Sequence, residues 1–122
     1  MKIQESAENY LETILMIRER KQIVRSIDIV RELNFSKPSV SVAMKNLKEA
    51  GYITMDETGR IYLTEQGEAL ATKIYDRHVK VSDWLTSIGV PRNIAEADAC
   101  KMEHVISEET FEAFKHLAEK SL

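Results

Sequence analysis

The sequence predicts a mainly α-helical protein with one small β-hairpin, arranged as an N-terminal winged helix-turn-helix followed by a helical region. Its composition favours helices, because 43% of the 122 residues are hydrophobic and 30% charged, with only four glycines and two prolines. Apolar residues recur at three- and four-residue spacings over most of the chain. One short β-rich stretch around a Gly-containing turn interrupts this pattern.

Three helices are predicted in the first part of the chain. The first runs from about residue 5 to residue 20 on the spacing of its apolar residues. Ser26 is the expected N-cap of a short second helix, which Asn34 can close in the left-handed conformation. Ser36 is the expected N-cap of a third helix, and Gly51 ends it.

A hairpin is predicted after the third helix. Residues 52–55 and 60–64 are rich in β-branched and aromatic side chains, and the turn between them, residues 56–59, ends in glycine.

Three further helices are predicted in the C-terminal half. Thr64 is the expected N-cap of a long helix that ends at Gly89. Pro91 opens a fifth helix that should continue to about Val105, and Ser107 caps a sixth.

The net charge of −3 is unevenly distributed along the chain. Residues 21–60 carry seven basic against five acidic side chains, a balance of +2, whereas residues 61–122 carry seven against eleven, a balance of −4. A polyanion and a cation could therefore be bound by different parts of one molecule.

The second and third helices and the hairpin together predict a DNA-binding winged helix, whose second motif helix enters the major groove. Hydroxyls, basic groups and one exposed branched side chain at the third helix suit phosphates and a thymine methyl. Two alternatives remain, an ordinary solvated helix face and a protein-interaction module. The candidate DNA-binding residues are Arg25, Ser36, Lys37, Pro38, Ser39, Ser41, Val42, Lys45 and Arg60.

A metal site is predicted from the fifth helix. Spacings of i, i+4, i+7 and i+8 place a thiol, two carboxylates and an imidazole on one face, where they can converge on a transition metal: Glu96, Cys100, Glu103 and His104. Further donors stand in the first and fourth helices, namely Asn9, Glu12 and His78. Each alone also fits a bland role, such as a solvated carboxylate or a small core cysteine.

Together these two patterns resemble the diphtheria toxin repressor and manganese transport regulator family of metal-activated bacterial repressors. The segment DACKMEHVIS, residues 98–107, is similar to the D-E-A-C-x-x-E-H-V-x-S pattern of the iron-responsive branch. ENYLETI, residues 8–14, resembles the family's opening helix. Arg77 and His78 match a basic-His pair in the long helix, and SKPSVS, residues 36–41, resembles the start of the recognition helix.

The resemblance implies a DNA-binding domain over residues 1–70 and a helical metal-binding and dimerisation domain over residues 71–122, without the SH3-like domain of longer members. It implies a repressor activated by Fe(II) or Mn(II), with Co(II), Ni(II) and Zn(II) as possible activators in vitro. Such a repressor binds palindromic operators of metal-uptake or homeostasis genes as a homodimer. The expected dimer contacts are apolar residues of the last helices: Trp84, Leu85, Ile88, Phe111, Phe114 and Leu117.

The resemblance also implies a hybrid ligand set. Cys100 follows the iron branch, whereas Glu12 follows the manganese branch. Asn9 stands where the family has Met or Asp, Glu96 where the iron branch has His, and Ser82 where it has Glu. One or two metals per subunit remain open, as does ligation by Cys100 through its sulfur or its carbonyl.

Other functional classes fit the sequence less well. A metallohydrolase with Glu103 as its base lacks a substrate-sized domain, so no enzyme and no small organic substrate are expected. A winged-helix sensor with Cys100 as a thiol switch is the second alternative. No long apolar run or signal-like N-terminus is present and Cys100 is the only cysteine, which predicts a cytoplasmic protein without a membrane partner.

Overall fold

The computed structural model describes the backbone of residues 2–121 and the side chains of residues 6–117. It confirms the mainly helical fold class with one antiparallel hairpin. The chain divides into two compact units, Met1–Thr72 and Lys73–Leu122. Its elements are α1 (Lys2–Lys21), α2 (Ser26–Leu33), α3 (Lys37–Glu49), β1 (Ile53–Met55), β2 (Ile61–Leu63), α4 (Glu65–Ser87), α5 (Arg92–Met102) and α6 (Glu108–Ser121).

The first unit is built on one continuous apolar core. α1 buries the stripe that its periodicity predicts, α3 buries every third or fourth residue, and one residue of each strand closes the core. The fully buried side chains include Leu11, Ile14, Ile17, Ile29, Val40, Met44 and Ile53.

Local capping sets the turn between α2 and α3. Asn34 adopts the left-handed conformation with φ of 58° and ends α2, as predicted. The Ser36 hydroxyl accepts the Ser39 N–H at 3.2 Å and starts α3. The two helices of the motif are therefore joined by a turn whose geometry the sequence encodes.

The hairpin is the wing of the winged helix. Ile53 pairs with Leu63 and Met55 with Ile61 in antiparallel register. The Ile61 N–H donates to the Val24 carbonyl at 2.8 Å, so the segment before α2 also holds the wing.

The start of α4 requires glycine. The Thr64 hydroxyl accepts the Gly67 N–H at 3.1 Å as the predicted N-cap. A Cβ atom at Gly67 would lie 2.0 Å from the backbone oxygen of Tyr52, so no larger residue fits there without moving the backbone.

The second unit has a smaller apolar cluster. Val81 of α4, Ala99 of α5 and Phe111 of α6 are its buried members among the described side chains. The Trp84 and Phe114 rings pack against each other with centroids 4.6 Å apart. The Ser107 hydroxyl accepts the Thr110 N–H and caps α6, as predicted.

Three local expectations are wrong. Arg25, not Ser26, is the N-cap of α2, because the Asp28 carboxylate accepts the Arg25 N–H at 2.9 Å and starts the helix one residue earlier. Phe111 is buried inside its own unit and not exposed for a dimer contact. Helix α5 ends at Met102 and not near Val105, since residues 103–105 form turns.

No described helix combines the length and the apolar character that crossing a bilayer requires.

Candidate metal centre and nucleic-acid interface

The second unit contains a buried carboxylate between two imidazoles. The Glu103 side chain is fully buried, and its Oε2 lies 3.1 Å from Nδ1 of His78. Its Oε1 lies 3.3 Å from Nε2 of His104, whose side chain is 4% exposed. The end of α5 and the middle of α4 thus bring together three predicted metal donors.

Arg77 fixes the end of α5. Its Nη1 donates to the Glu103 carbonyl at 2.8 Å, and its Nη2 donates to the Glu108 carboxylate at 3.0 Å. Its guanidinium also lies 5.0 Å from the centre of the Phe111 ring. In a longer α5 the Glu103 carbonyl would accept a backbone N–H from the next turn, but here it accepts the Arg77 guanidinium. The helix can therefore end at this point, with the Glu103 side chain directed toward the imidazoles.

The chemistry of this group fits a divalent metal ion. A carboxylate without water costs free energy unless a cation compensates it, and imidazole and carboxylate are common ligands of first-row metals. Glu103 with His78 and His104 supplies such a donor set. Arg77 does not belong to this set but holds Glu103 in position through its hydrogen bond to the Glu103 carbonyl.

The other predicted metal ligands are distributed differently. α5 ends at Met102, but Glu103 keeps an αR conformation and its N–H donates to the Ala99 carbonyl at 2.9 Å, so the shared face of Glu96, Cys100 and Glu103 stays a prediction. His104 lies in the turn that follows the helix. Glu96 is exposed and its carboxylate lies 3.3 Å from Nε of Arg92, while Cys100 is half-buried. Their ligation stays a prediction.

Helix α1 carries the two remaining candidate ligands, in the first unit. Asn9 is half-buried, and Glu12 is buried with 3% of its surface exposed. Ligation by either residue also stays a prediction.

The exposed face of α3 is polar and basic, as its pattern predicts. The helix buries Val40, Met44 and Leu47 and exposes the opposite side. Val42 is 59% exposed, which suits contact with a partner outside the chain. The exposed candidates at this helix are Ser36, Lys37, Pro38, Ser39, Ser41, Val42 and Lys45. Their contact with DNA stays a prediction.

The other two candidate DNA-binding residues, Arg25 and Arg60, each contact a residue of the wing. The Arg60 guanidinium lies over the Tyr62 ring, 4.8 Å from its centre. Arg25 donates from Nε to the Thr58 carbonyl at 3.4 Å, so part of this side chain braces the wing turn. Hydrogen bonds, first from the Thr58 hydroxyl and then from the backbone of Arg60 and Thr58, lower the pKa of Asp56 in that turn.

Sequence reasoning missed two structural contributions at these sites. Arg77 appeared only as half of a basic-His pair, and its bond to the Glu103 carbonyl spans 26 positions, which no local pattern reveals. The hydrogen bonds of Asp56 were also missed, although an Asp opening a turn that ends in glycine is a recognisable signal.

Two family models match the chain. Residues 2–59 match the N-terminal DNA-binding domain of the iron-dependent repressors, and residues 64–120 match their metal-binding and dimerisation domain. The chain is 38% identical over 117 residues to the transcriptional regulator MntR of Escherichia coli, covering 95% of this chain and 75% of the relative. It is 34% identical to an uncharacterized helix-turn-helix transcriptional regulator of Methanocaldococcus jannaschii, covering 95% and 94%.

Solved structures show the same fold. The crystal structure of IdeR from T. acidophilum matches with a TM-score of 0.76 and 28% identity, covering 88% of this chain and 51% of the other. A manganese-dependent transcriptional repressor in complex with manganese matches with a TM-score of 0.85 at 21% identity, covering 93% and 52%. The chain thus spans about half the length of these two proteins. These matches confirm the resemblance found in the sequence, and the chain belongs to the iron-dependent repressor family, which includes the manganese regulator MntR.

Proposed function

We propose that this protein is a transcriptional repressor whose binding to operator DNA is activated by Fe(II) or Mn(II). The observation that carries the proposal is the buried Glu103 carboxylate, which faces an imidazole on each side within the metal-binding domain of the family. The exposed basic face of α3, within the family's DNA-binding domain, supplies the second half of this function.

The metal ligands we propose are Glu103, His78 and His104, with Arg77 holding Glu103 in place. The family resemblance adds Asn9, Glu12, Glu96 and Cys100 as further donors. A bound divalent ion supplies the positive charge that compensates these carboxylates and an ionised thiol. Binding of the ion to Glu103, His78 and His104 is expected to order the end of α5.

DNA recognition is assigned to the exposed face of α3 and to the wing. Lys37 and Lys45 can neutralise phosphates, the serines and the N-terminal amides of α3 can donate hydrogen bonds to them, and Val42 can contact a base methyl. Arg60 can reach the backbone or the minor groove from the wing. The expected targets are palindromic operators of metal-uptake or homeostasis genes. The expected location of the protein is the cytoplasm.

A homodimer is proposed because two half-sites require two recognition helices. Ile88 and Leu117 remain exposed in the second unit, with 60% and 53% of their surfaces accessible, and are the expected contacts. Val105, after α5, is also exposed, with 71% of its surface accessible. Sedimentation that shows a monomer at micromolar concentration, with and without metal, would contradict the dimer.

Metal-dependent DNA binding tests the function directly. Double-stranded DNA is selected from a random library with the protein and Mn(II), and its affinity is then measured anaerobically with Mn(II), Fe(II), Co(II) and Zn(II). His104→Ala should abolish the activation while far-UV circular dichroism is unchanged. His116→Ala, an exposed histidine of α6, is the matched control and should respond to metal like the wild type. Metal-independent binding by the wild type would contradict the proposal.

The salt dependence of binding tests the DNA-binding face. Lys37→Ala should lower the slope of log affinity against log salt by about one unit for each phosphate that a subunit no longer neutralises. Lys101→Ala, an exposed lysine of α5, removes the same charge outside the DNA-binding domain and should leave the slope unchanged. Equal slopes for Lys37→Ala and the wild type would remove Lys37 from the interface.

A further inference from the structure

The turn of the wing is organised by one exposed carboxylate. Oδ1 of Asp56 accepts hydrogen bonds from the Thr58 N–H at 2.9 Å, the Thr58 hydroxyl at 2.7 Å and the Arg60 N–H at 3.0 Å. Its Oδ2 accepts the Tyr62 hydroxyl at 3.3 Å. A single side chain therefore links both ends of the turn to the second strand.

The backbone of the same turn supports this arrangement. The Gly59 N–H donates to the Asp56 carbonyl at 3.0 Å, and Gly59 adopts a φ of 85° that other residues rarely reach. Arg25 braces the turn from the start of α2 through the Thr58 carbonyl. The turn thus has one preferred conformation, which depends on Asp56 as its main acceptor.

This conformation presents a stacked pair to the solvent. Arg60 lies over the ring of Tyr62, which is 41% exposed. Both residues donate a hydrogen bond to the Asp56 carboxylate, Arg60 through its backbone N–H and Tyr62 through its hydroxyl. The stack limits the freedom of the Arg60 side chain, so less entropy is lost when its guanidinium binds a phosphate.

We propose that Asp56 is a positioning residue that promotes DNA binding by holding Arg60 and Tyr62 in the orientation that meets the DNA backbone. The inference rests on the proposed repressor function and deepens it. It makes a prediction opposite to simple electrostatics, because removing a carboxylate beside a polyanion should otherwise strengthen binding.

Three variants test this inference on the metal-loaded protein with the selected DNA. Asp56→Ala should weaken binding about tenfold at 0.1 M salt and lower the salt slope by about one unit per subunit, as expected when Arg60 no longer neutralises a phosphate. Asp56→Asn keeps an amide oxygen in the same place, which can still accept the backbone N–H groups of Thr58 and Arg60, and should restore most of the affinity. Glu57→Ala removes an equal charge from the same exposed turn and should bind as well as the wild type or more tightly.

A second readout follows the wing without DNA. In NMR spectra of the free protein, the Arg60 side-chain protons should show the upfield shift caused by the Tyr62 ring, and Asp56→Ala should remove this shift while Asp56→Asn and Glu57→Ala retain it. Binding of Asp56→Ala as tight as that of Glu57→Ala, or an unchanged Arg60 shift in Asp56→Ala, would overturn the inference. Failure of the wild type to bind DNA with metal would instead overturn the proposed function.

Discussion

The two units of the chain have interiors of different chemistry. The first unit encloses a continuous apolar core that draws on α1, α2, α3 and both strands, and among its described side chains Glu12 is the charged one that is buried. In the second unit the described apolar cluster is small, and charged side chains are buried beside it, with Glu103 fully enclosed and Arg77 only 9% exposed.

This difference indicates how each unit is stabilised. Burial of apolar surface stabilises the first unit without any ligand, at about 25 cal/mol per Å² removed from water. A buried carboxylate contributes little net stability until its charge is compensated. The response to metal should therefore be largest in the second unit, which supplies Glu103, His78 and His104, and four sets of variants test that contrast.

The largest effect is expected in the core of the first unit. Ile17→Ala empties a fully buried position of α1 and should cost about 2–5 kcal/mol of unfolding free energy. The cost should be the same with and without metal, as measured by urea unfolding followed by circular dichroism. Met16→Ala is the control, because Met16 is partly exposed on the same helix and should cost far less. Rescue of Ile17→Ala by metal would contradict the contrast.

The second effect concerns the charged interior. Glu103→Gln keeps the volume of the side chain and removes the buried charge, so the metal-free variant should be at least as stable as the wild type. It should lose the stabilisation that metal gives the wild type, which is about 2.7 kcal/mol at a free concentration of 100 times Kd.

Trp84, the only tryptophan, lies in the second unit, so its fluorescence during unfolding reports this loss. Glu109→Gln, an exposed position of α6, should retain the response to metal. Metal stabilisation of Glu103→Gln equal to that of the wild type would remove Glu103 from the ligands.

The third effect concerns the preference of the second unit for Fe(II) or Mn(II). A thiolate favours iron, cobalt, nickel or zinc, whereas Mn(II) is held best by hard oxygen ligands. Cys100→Glu should shift the ratio of the activation constants for Fe(II) and Mn(II) toward manganese by about tenfold. Ala97→Glu adds the same charge at an exposed position of α5 and should leave the ratio unchanged. An unmoved ratio in Cys100→Glu would show that the sulfur is not a ligand.

The smallest effect belongs to an ion pair at the surface of the first unit. Arg18 holds the Glu68 carboxylate through two hydrogen bonds, of 2.5 and 2.7 Å, and the hydrogen bond from Arg18 lowers the pKa of Glu68. Since both groups are partly exposed, Glu68→Gln should cost only about 0.2–1 kcal/mol at pH 7.

The pH dependence of this pair has a definite sign. A lowered folded-state pKa gives stability that is present above the unfolded value and lost as the pH falls through the folded value. The difference in Tm between Glu68→Gln and the wild type should therefore shrink on acidification to about pH 3. Glu65→Gln, in the same first turn of α4, controls for the helix dipole and should show a smaller difference at pH 7. A difference that persists unchanged at the lower pH would exclude the ion pair as its cause.

Much of the fold could be predicted because its signals are local. Ser36, Thr64 and Ser107 cap their helices as predicted, and Asn34 and Gly89 adopt the positive φ angles that their positions require. Such signals act over a few residues, through hydrogen bonds to neighbouring backbone groups. The helical spacing likewise determined which face of α3 is exposed.

The candidate metal centre could be predicted only in part. Residue types and the family resemblance identified Glu103, His104 and His78 as donors, but helical spacing also suggested a shared face with Glu96. That shared face stays a prediction, whereas the expected end of α5 near Val105 is wrong, and the interaction that favours the earlier ending comes from Arg77, 26 positions from Glu103.

The sequence by itself determined the order and type of the elements, the capping of several helices, the polar face of α3 and the family of the chain. Only the tertiary structure decided where α5 ends, that Phe111 is buried, that Glu103 lies between two imidazoles and that Asp56 orders the wing. The first three depend on contacts between separate elements of the second unit. The residues that make these contacts are far apart in the sequence, so local patterns do not reveal them. Asp56 differs, because its partners are near in sequence but are brought together only when the strands pair in register.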